Sequence, residues 1–131
     1  MPADEGDDAM FGLRRKKPHG PDFSDITSES AAAALAAEGS LEKLLLLPPE
    51  FGGSDIPPNL VYVPVGIAEV KQQIDLGVVR PLVADGTVTR YTATPEYAGD
   101  SFIPIAVVIT AHTPGSFTTT INIWGEALQR G

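Results

Sequence analysis

Residues 101–125 (SFIPIAVVITAHTPGSFTTTINIWG) constrain the fold most, because they hold two runs of β-branched residues on either side of a turn. Isoleucine, valine and threonine pack well on a pleated sheet and are enriched in strands. Between the two runs, Pro114 fixes φ and Gly115 accepts a positive φ, which is the chemistry of a turn. The pattern therefore predicts a β-hairpin at the centre of the domain.

The register of this hairpin follows from its pattern, because strand side chains alternate between two faces. Only a loop with an odd number of residues brings the isoleucine-rich face of the first strand beside the phenylalanine and isoleucine face of the second. The predicted pairs are Ala111 with Phe117, Ile109 with Thr119, Val107 with Ile121, and Ile105 with Ile123. The opposite face, which includes Trp124, is mixed, so Trp124 is either a core residue or an exposed anchor for a partner.

The segment 67–84 supports two interpretations. Four apolar residues recur at the helical spacing: Val70, Ile74, Val78 and Leu82. Gly77 weakens a helix, however, and Pro81 breaks or kinks one. We favour a helix to about residue 84 with a break between Gly77 and Pro81. The alternative is a helix over 67–76 and a strand over 78–84 that closes a hairpin onto the next strand.

The remaining segments complete an α+β chain. Residues 60–65 and 87–94 are predicted strands, which gives a two-layer domain of order β-α-β-β-β, with one helix on a mainly antiparallel four-stranded sheet. Two short N-terminal helices are predicted, over 24–38 and 40–47. The chain then divides into a disordered tail (1–22), N-terminal helices (23–47), a Pro- and Gly-rich connection (48–59), the α+β domain (60–125) and a C-terminal tail (126–131).

Charge and composition exclude several function classes. The net charge is −8, and residues 22–59 carry seven acidic side chains against one lysine. An acidic body repels a phosphate backbone, so nucleic-acid binding by the folded domain is disfavoured. The absence of cysteine excludes disulfides, thiolate metal sites and cysteine nucleophiles. No glycine-rich phosphate loop, zinc-protease motif or serine-hydrolase motif occurs, so the sequence predicts no cofactor and no metal.

The N-terminal tail contains one basic cluster, made of Arg14, Arg15, Lys16 and Lys17. Such a cluster is either a contact site for an anionic membrane or nucleic acid or part of a solvated tail, and four acidic residues just upstream favour the solvated tail. Met10 is a second candidate for the start of translation. Residues 1–10 lack an apolar core, and no apolar run approaches the ~20 residues of a membrane span. We therefore expect a cytoplasmic protein without a transmembrane segment.

Residues 90–101, from the end of the strand over 87–94 to the start of the central hairpin, are the best candidate site in the sequence. This segment brings Arg90, Tyr91, Glu96, Tyr97 and Asp100 within twelve residues. Tyrosine and arginine are enriched at binding hot spots, and loops on rigid strands often carry function. Glu96 and Asp100 are the only carboxylates there for acid–base chemistry, but turn roles account for both. These residues, with Trp124, are the predicted binding residues.

The sequence therefore favours a small, acidic, non-enzymatic module for protein interaction or homo-oligomerisation. The first alternative is a small-molecule-binding domain or minor enzyme, with its pocket between helix and sheet near residues 90–101. The second alternative is a contact of the basic tail with a membrane or nucleic acid.

Overall fold

The computed structural model describes residues 21–129, so the predictions for the basic cluster and for almost all of the disordered tail lie outside the described residues. In chain order the main elements are α1 (Glu29–Ala37), β1 (Leu41–Leu45), β2 (Leu60–Pro64), α2 (Ile67–Ile74), a π-helical turn (Asp75–Val79), α3 (Arg80–Ala84), β3 (Val88–Glu96), β4 (Ala106–Pro114) and β5 (Ser116–Asn122). Short 3-10 turns occur at Pro49–Phe51, Pro57–Asn59 and Gly125–Gln129. The predicted α+β class is confirmed.

The central hairpin has the predicted register. Strands β4 and β5 pair antiparallel, with Ala111 opposite Phe117, Ile109 opposite Thr119 and Val107 opposite Ile121. The ladder ends at Ala106 and Asn122, and beyond it the Ile123 N–H donates to the Ile105 carbonyl at 2.7 Å. β3 pairs with the other side of β4, so these strands form a three-stranded sheet of order β3-β4-β5.

The second predicted N-terminal helix is wrong. Residues 41–45 form strand β1, which pairs antiparallel with β2 so that Leu44 lies opposite Val61. An isolated helix of eight residues is marginal in water, whereas pairing with β2 satisfies the backbone and buries Leu41 and Leu44. β1 and β2 therefore form a separate two-stranded sheet. The predicted single four-stranded sheet is replaced by this sheet and the three-stranded sheet of β3, β4 and β5.

The helical interpretation of 67–84 is correct, and the alternative hairpin is wrong. The segment stays helical throughout, and the expected break is the π-helical turn at Asp75–Val79. Pro81 directly follows the π-helical turn, where the regular hydrogen-bond pattern of the helix is already interrupted. Gly86 ends the helix at φ 81°, and the Thr87 N–H donates to the Leu82 carbonyl at 2.9 Å, as in a Schellman motif.

The N-terminal segment packs on the body, so residue 60 is not a domain boundary in the structure. Ala32 of α1 is fully buried in the main core. The Phe102 N–H donates to the Ile26 carbonyl at 2.6 Å, and the Phe23 ring meets Trp124 edge-on at 5.9 Å. Trp124 is buried and its indole N–H donates to the Ile103 carbonyl at 3.0 Å. Of its two predicted roles, the core residue is correct.

The Pro- and Gly-rich connection is held in place by Asn59. Its side-chain oxygen accepts from the Leu47 N–H at 2.7 Å, and its amide donates to the carbonyls of Leu47 and Ser54 at 2.9 and 3.1 Å. Gly53 lies so close to this clamp that a Cβ there would collide with the Leu47 carbonyl. The connection is therefore an ordered loop beside β1.

No helix in the described part of the chain is long and apolar enough to cross a membrane.

Helix α2 begins at a cap supplied by a strand. The Glu42 carboxylate of β1 accepts from the N–H groups of Gly66 and Ala68, at 2.9 and 3.1 Å. Those donors have no partner inside the helix, and a negative charge also suits the positive end of the helix dipole. Glu42 thus fixes where α2 starts relative to β1.

We expect Glu42→Ala to lower the free energy of unfolding by about 1 kcal/mol, the usual cost of a lost N-cap. Urea denaturation followed by circular dichroism measures this change. Lys43→Ala on the same strand is the matched control, because Lys43 is exposed, and its effect is expected to stay within about 0.5 kcal/mol. Equal effects of the two substitutions would contradict the capping role.

Candidate functional site

Helix α2 and the turn that follows direct two charged side chains into the protein. Lys71 and Asp75 are each only 2% exposed, whereas Val70 and Val78 on the adjacent line are 42% and 40% exposed. The helical spacing of Val70, Ile74, Val78 and Leu82 predicts the opposite orientation, with the valines facing the core and the charges in solvent. Burying a charge is costly unless the charge is paired and hydrogen-bonded, so the surroundings of this pair decide what it can do.

The two charges form a closed hydrogen-bonded ring with Tyr91. The Lys71 ammonium donates to Asp75 Oδ2 at 2.6 Å and to the Tyr91 hydroxyl oxygen at 2.8 Å. The Tyr91 hydroxyl in turn donates to Asp75 Oδ1 at 2.7 Å. Both carboxylate oxygens and two of the three ammonium protons are therefore satisfied inside the ring, which we call the Lys-Asp-Tyr triad.

Three elements position the triad. Lys71 and Asp75 are four residues apart on one helical face, and Asp75 is the first residue of the π-helical turn. Such turns are rare and occur frequently at functional sites. Tyr91 comes from β3, and the Phe51 ring packs against it at 5.3 Å. The Leu46 carbonyl lies 3.4 Å from the Tyr91 hydroxyl, which places the end of β1 beside the triad.

Burial shifts the proton affinities of the triad in opposite senses. Removal from water lowers the pKa of Lys71, although the hydrogen bond and the charge of Asp75 act against that change. Burial raises the pKa of Tyr91 well above its usual range, and the hydrogen bond to Asp75 adds to the rise. At neutral pH Tyr91 is therefore a neutral hydroxyl, while the Lys71 amine loses its proton more readily than an exposed lysine.

The triad lies beside an open pocket with a volume of about 380 Å³. The pocket lies between β1, the start of the proline-rich loop and the inner side of α2. Its lining combines apolar and charged residues: Lys43, Leu44, Leu45, Pro48, Pro49, Glu50, Ala68, Glu69, Lys71, Gln72, Asp75 and Leu76. A small pocket with a mainly apolar wall and a few convergent polar groups is the usual form of a ligand site.

The structure separates the predicted site residues and brings only Tyr91 into the triad. Arg90 is exposed and lies opposite His112 in the ladder, with its side chain on the other face of the sheet from Tyr91. Tyr97 is 49% exposed, and partial burial raises its pKa. Glu96 ends β3, and Asp100 lies exposed in the loop beyond it. None of these four residues lines the pocket, so it is not at the 90–101 loop where the sequence placed it.

Lys71 and Asp75 are the residues that sequence reasoning missed. Lys71, Asp75 and the fully buried Val79 are spaced four residues apart, so they share one face of the helix. This spacing is visible in the sequence. A Lys-Asp pair on an amphipathic helix is ordinarily a solvated surface pair, so the spacing alone does not indicate burial. The deciding signal is that Tyr91 on a distant strand completes the ring.

Comparisons with known proteins place no further constraint on the site. No protein-family model matches the chain, and no significant match occurs among curated proteins or solved structures. Within residues 21–129, no group of three or more His, Cys, Asp or Glu side chains is arranged to hold a metal ion.

The raised pKa of Tyr91 predicts a loss of stability in alkali. The unfolded chain releases the tyrosine proton near pH 10.0, while the folded protein retains it, so the stabilising contribution is complete below pH 10.0 and declines above it. We expect the wild type to lose up to ~1.4 kcal/mol per pH unit above that point through this group. Tyr91→Phe removes this contribution, and guanidinium denaturation from pH 9 to about 12 compares the two proteins. If the free energies of unfolding of the wild type and of Tyr91→Phe change in parallel with pH, this prediction is wrong.

Proposed function

We propose that this protein is a small-molecule-binding domain whose ligand occupies the pocket between β1 and α2 and contacts Lys71. The observation that carries the proposal is the inward-facing Lys71–Asp75 pair, buried at a pocket wall while valines on the same helix remain exposed. Perturbed titratable groups beside a concave pocket are typical of functional sites.

Stability does not account for this arrangement. A buried ion pair rarely stabilises a fold more than apolar residues of similar volume would, because desolvation offsets the attraction between the charges. Val70 and Val78 stay 42% and 40% exposed, while Lys71 and Asp75 beside them are buried. Burial of two charges next to two exposed valines supports a role for these charges in binding.

The pocket chemistry indicates the class of ligand. Two ammonium protons of Lys71 are used by Asp75 and Tyr91, which leaves one for an acceptor on a ligand. Leu44 and Leu76 supply apolar wall, while Glu50 and Glu69 disfavour an anion. We therefore propose a small, uncharged ligand with an apolar body and one carbonyl or hydroxyl oxygen.

The test is an NMR titration of the ¹⁵N-labelled protein with butan-1-ol and butan-2-one as probes. We expect saturable shifts, with Kd on the order of 1 mM, at the amides of Leu45, Ala68, Gln72 and Leu76. The comparison is a triple variant (Lys71→Met, Asp75→Leu, Tyr91→Phe), which removes the whole triad. It is expected to fold with equal or greater stability, because no buried polar group is left unpaired.

The triple variant separates binding from folding. Loss of the saturable shifts in a variant that keeps the wild-type fold supports the proposal. If the wild type gives no saturable shifts, or if the triple variant binds the probes as well as the wild type does, the proposal is wrong.

A second candidate is homo-oligomerisation, which the sequence favours and which strand β5 supports. β5 is an edge strand, and its residues 116–122 (SFTTTIN) include no charge, proline or glycine. Because the Ile123 N–H points to β4, strand alternation directs the backbone groups of Thr118, Thr120 and Asn122 away from it. Asn122 Oδ1 is buried and has no hydrogen-bond partner among the described residues. Natural proteins usually protect such edges with charges or bulges.

We expect β5 strands of two copies to pair, giving twice the chain mass of 13.8 kDa by light scattering after size exclusion. Thr120→Lys places a charge on the edge and is expected to shift the protein to monomer. Thr92→Lys is the matched control, because Thr92 is also an exposed threonine, on β3. A wild-type monomer at all concentrations, or equal disruption by both variants, would rule out this pairing.

The contact of the basic tail with a membrane or nucleic acid stays a prediction, since Arg14, Arg15, Lys16 and Lys17 lie before the described part of the chain. The cytoplasmic location also stays a prediction.

A further inference from the structure

The Lys-Asp-Tyr triad places a primary amine beside a carboxylate and a phenol hydroxyl. Asp75 Oδ2 lies 2.6 Å from the Lys71 nitrogen, and the Tyr91 hydroxyl oxygen lies 2.8 Å from it. Two lysines line the pocket, and of these Lys71 is buried while Lys43 is exposed. A desolvated lysine is the usual nucleophile for a carbonyl carbon.

We infer that Lys71 forms an imine with small aldehydes or ketones that enter the pocket. This inference rests on the proposed function, because it assigns a covalent step to the same ligand site. Glyoxylate-like acids are disfavoured by Glu50 and Glu69 at the pocket, so neutral carbonyl compounds are the substrate class.

The step balances within the triad. The Lys71 ammonium passes a proton to Asp75, and the neutral amine attacks the carbonyl carbon, so that a C–N bond forms and the C=O π bond breaks. The nitrogen then passes one of its remaining protons to the carbonyl oxygen, which becomes a hydroxyl. Asp75 then returns its proton to that hydroxyl, which leaves as water while the nitrogen lone pair completes the C=N bond. One ammonium and one carbonyl thus give one iminium and one water, with no oxidant or reductant.

The iminium product suits the buried carboxylate. It carries the same single positive charge on the same nitrogen, so Asp75 keeps its counter-charge and no buried ion is left unpaired. Tyr91 remains protonated at neutral pH and continues to donate to Asp75 Oδ1 at 2.7 Å.

The experiment is borohydride trapping on the full chain with butanal as the probe. Borohydride delivers hydride to the iminium carbon and leaves a stable secondary amine. Cleavage after glutamate gives peptides 43–50 and 70–96, each with one lysine, so mass spectrometry compares Lys43 with Lys71 directly. At about pH 7 we expect Lys71 to react at least ~10-fold faster, because an exposed lysine of pKa ≈ 10.4 is almost wholly protonated.

Two controls assign the effect to the fold. In the protein unfolded by guanidinium chloride, the ratio of the modification rates of Lys71 and Lys43 is expected to fall to about one. Lys71→Arg must lose the modification of peptide 70–96 while peptide 43–50 is still modified. Lys71 reacting no faster than Lys43 in the native protein would overturn the inference.

The matched probe butan-1-ol distinguishes this failure from failure of the proposed function, because an alcohol forms no imine. If butan-1-ol and butanal both give saturable shifts at the pocket without trapping at Lys71, the imine is wrong and the binding site stands. If neither probe gives saturable shifts, the proposed binding function and the imine are both wrong.

Discussion

The hydrogen-bonded ring of Lys71, Asp75 and Tyr91 is the contact on which the arrangement of this fold depends. It ties the inner face of α2 to β3, and the Leu46 carbonyl and the Phe51 ring bring β1 and the proline-rich loop to the same point. Removal of Lys71 or Asp75 alone would leave the other charge buried without its partner, which costs several kcal/mol. The triad therefore fixes how the helix rotates about its axis and which of its residues face solvent.

Local devices support that central contact by fixing the ends of the elements around it. Glu42 caps α2 from strand β1, and Asn59 clamps the loop that runs beside the pocket. The N-terminal segment adds Phe23 and Ala32 to the same core that contains Trp124. These contacts join parts of the chain that are distant in sequence, and the pocket wall is assembled from two such segments, residues 43–50 and 68–76.

Much of the local structure follows from short-range pattern. The β4–β5 register was predictable because one face of each strand is apolar and a slip of one residue would expose it. The helix over 67–84 was predictable from its spacing, and Gly86 from the φ its position requires. The candidate site was not predictable, because Tyr91 belongs to a strand and Lys71 to a helix, and their meeting depends on how the two pack. Arg90 and Tyr97 have the residue types of a binding site, yet they lie on other surfaces.

By itself the sequence determined the α+β class and the central hairpin with its register, because these follow from neighbours along the chain. For residues 67–84 it favoured a helix and left a helix followed by a strand as the alternative. Tertiary structure decided the rest. Leu41–Leu45 is a strand because β2 offers it a partner, which a local pattern of leucines does not encode. Lys71 and Asp75 face inward because the Tyr91 hydroxyl hydrogen-bonds to both of them, and only the packed chain brings these three residues together.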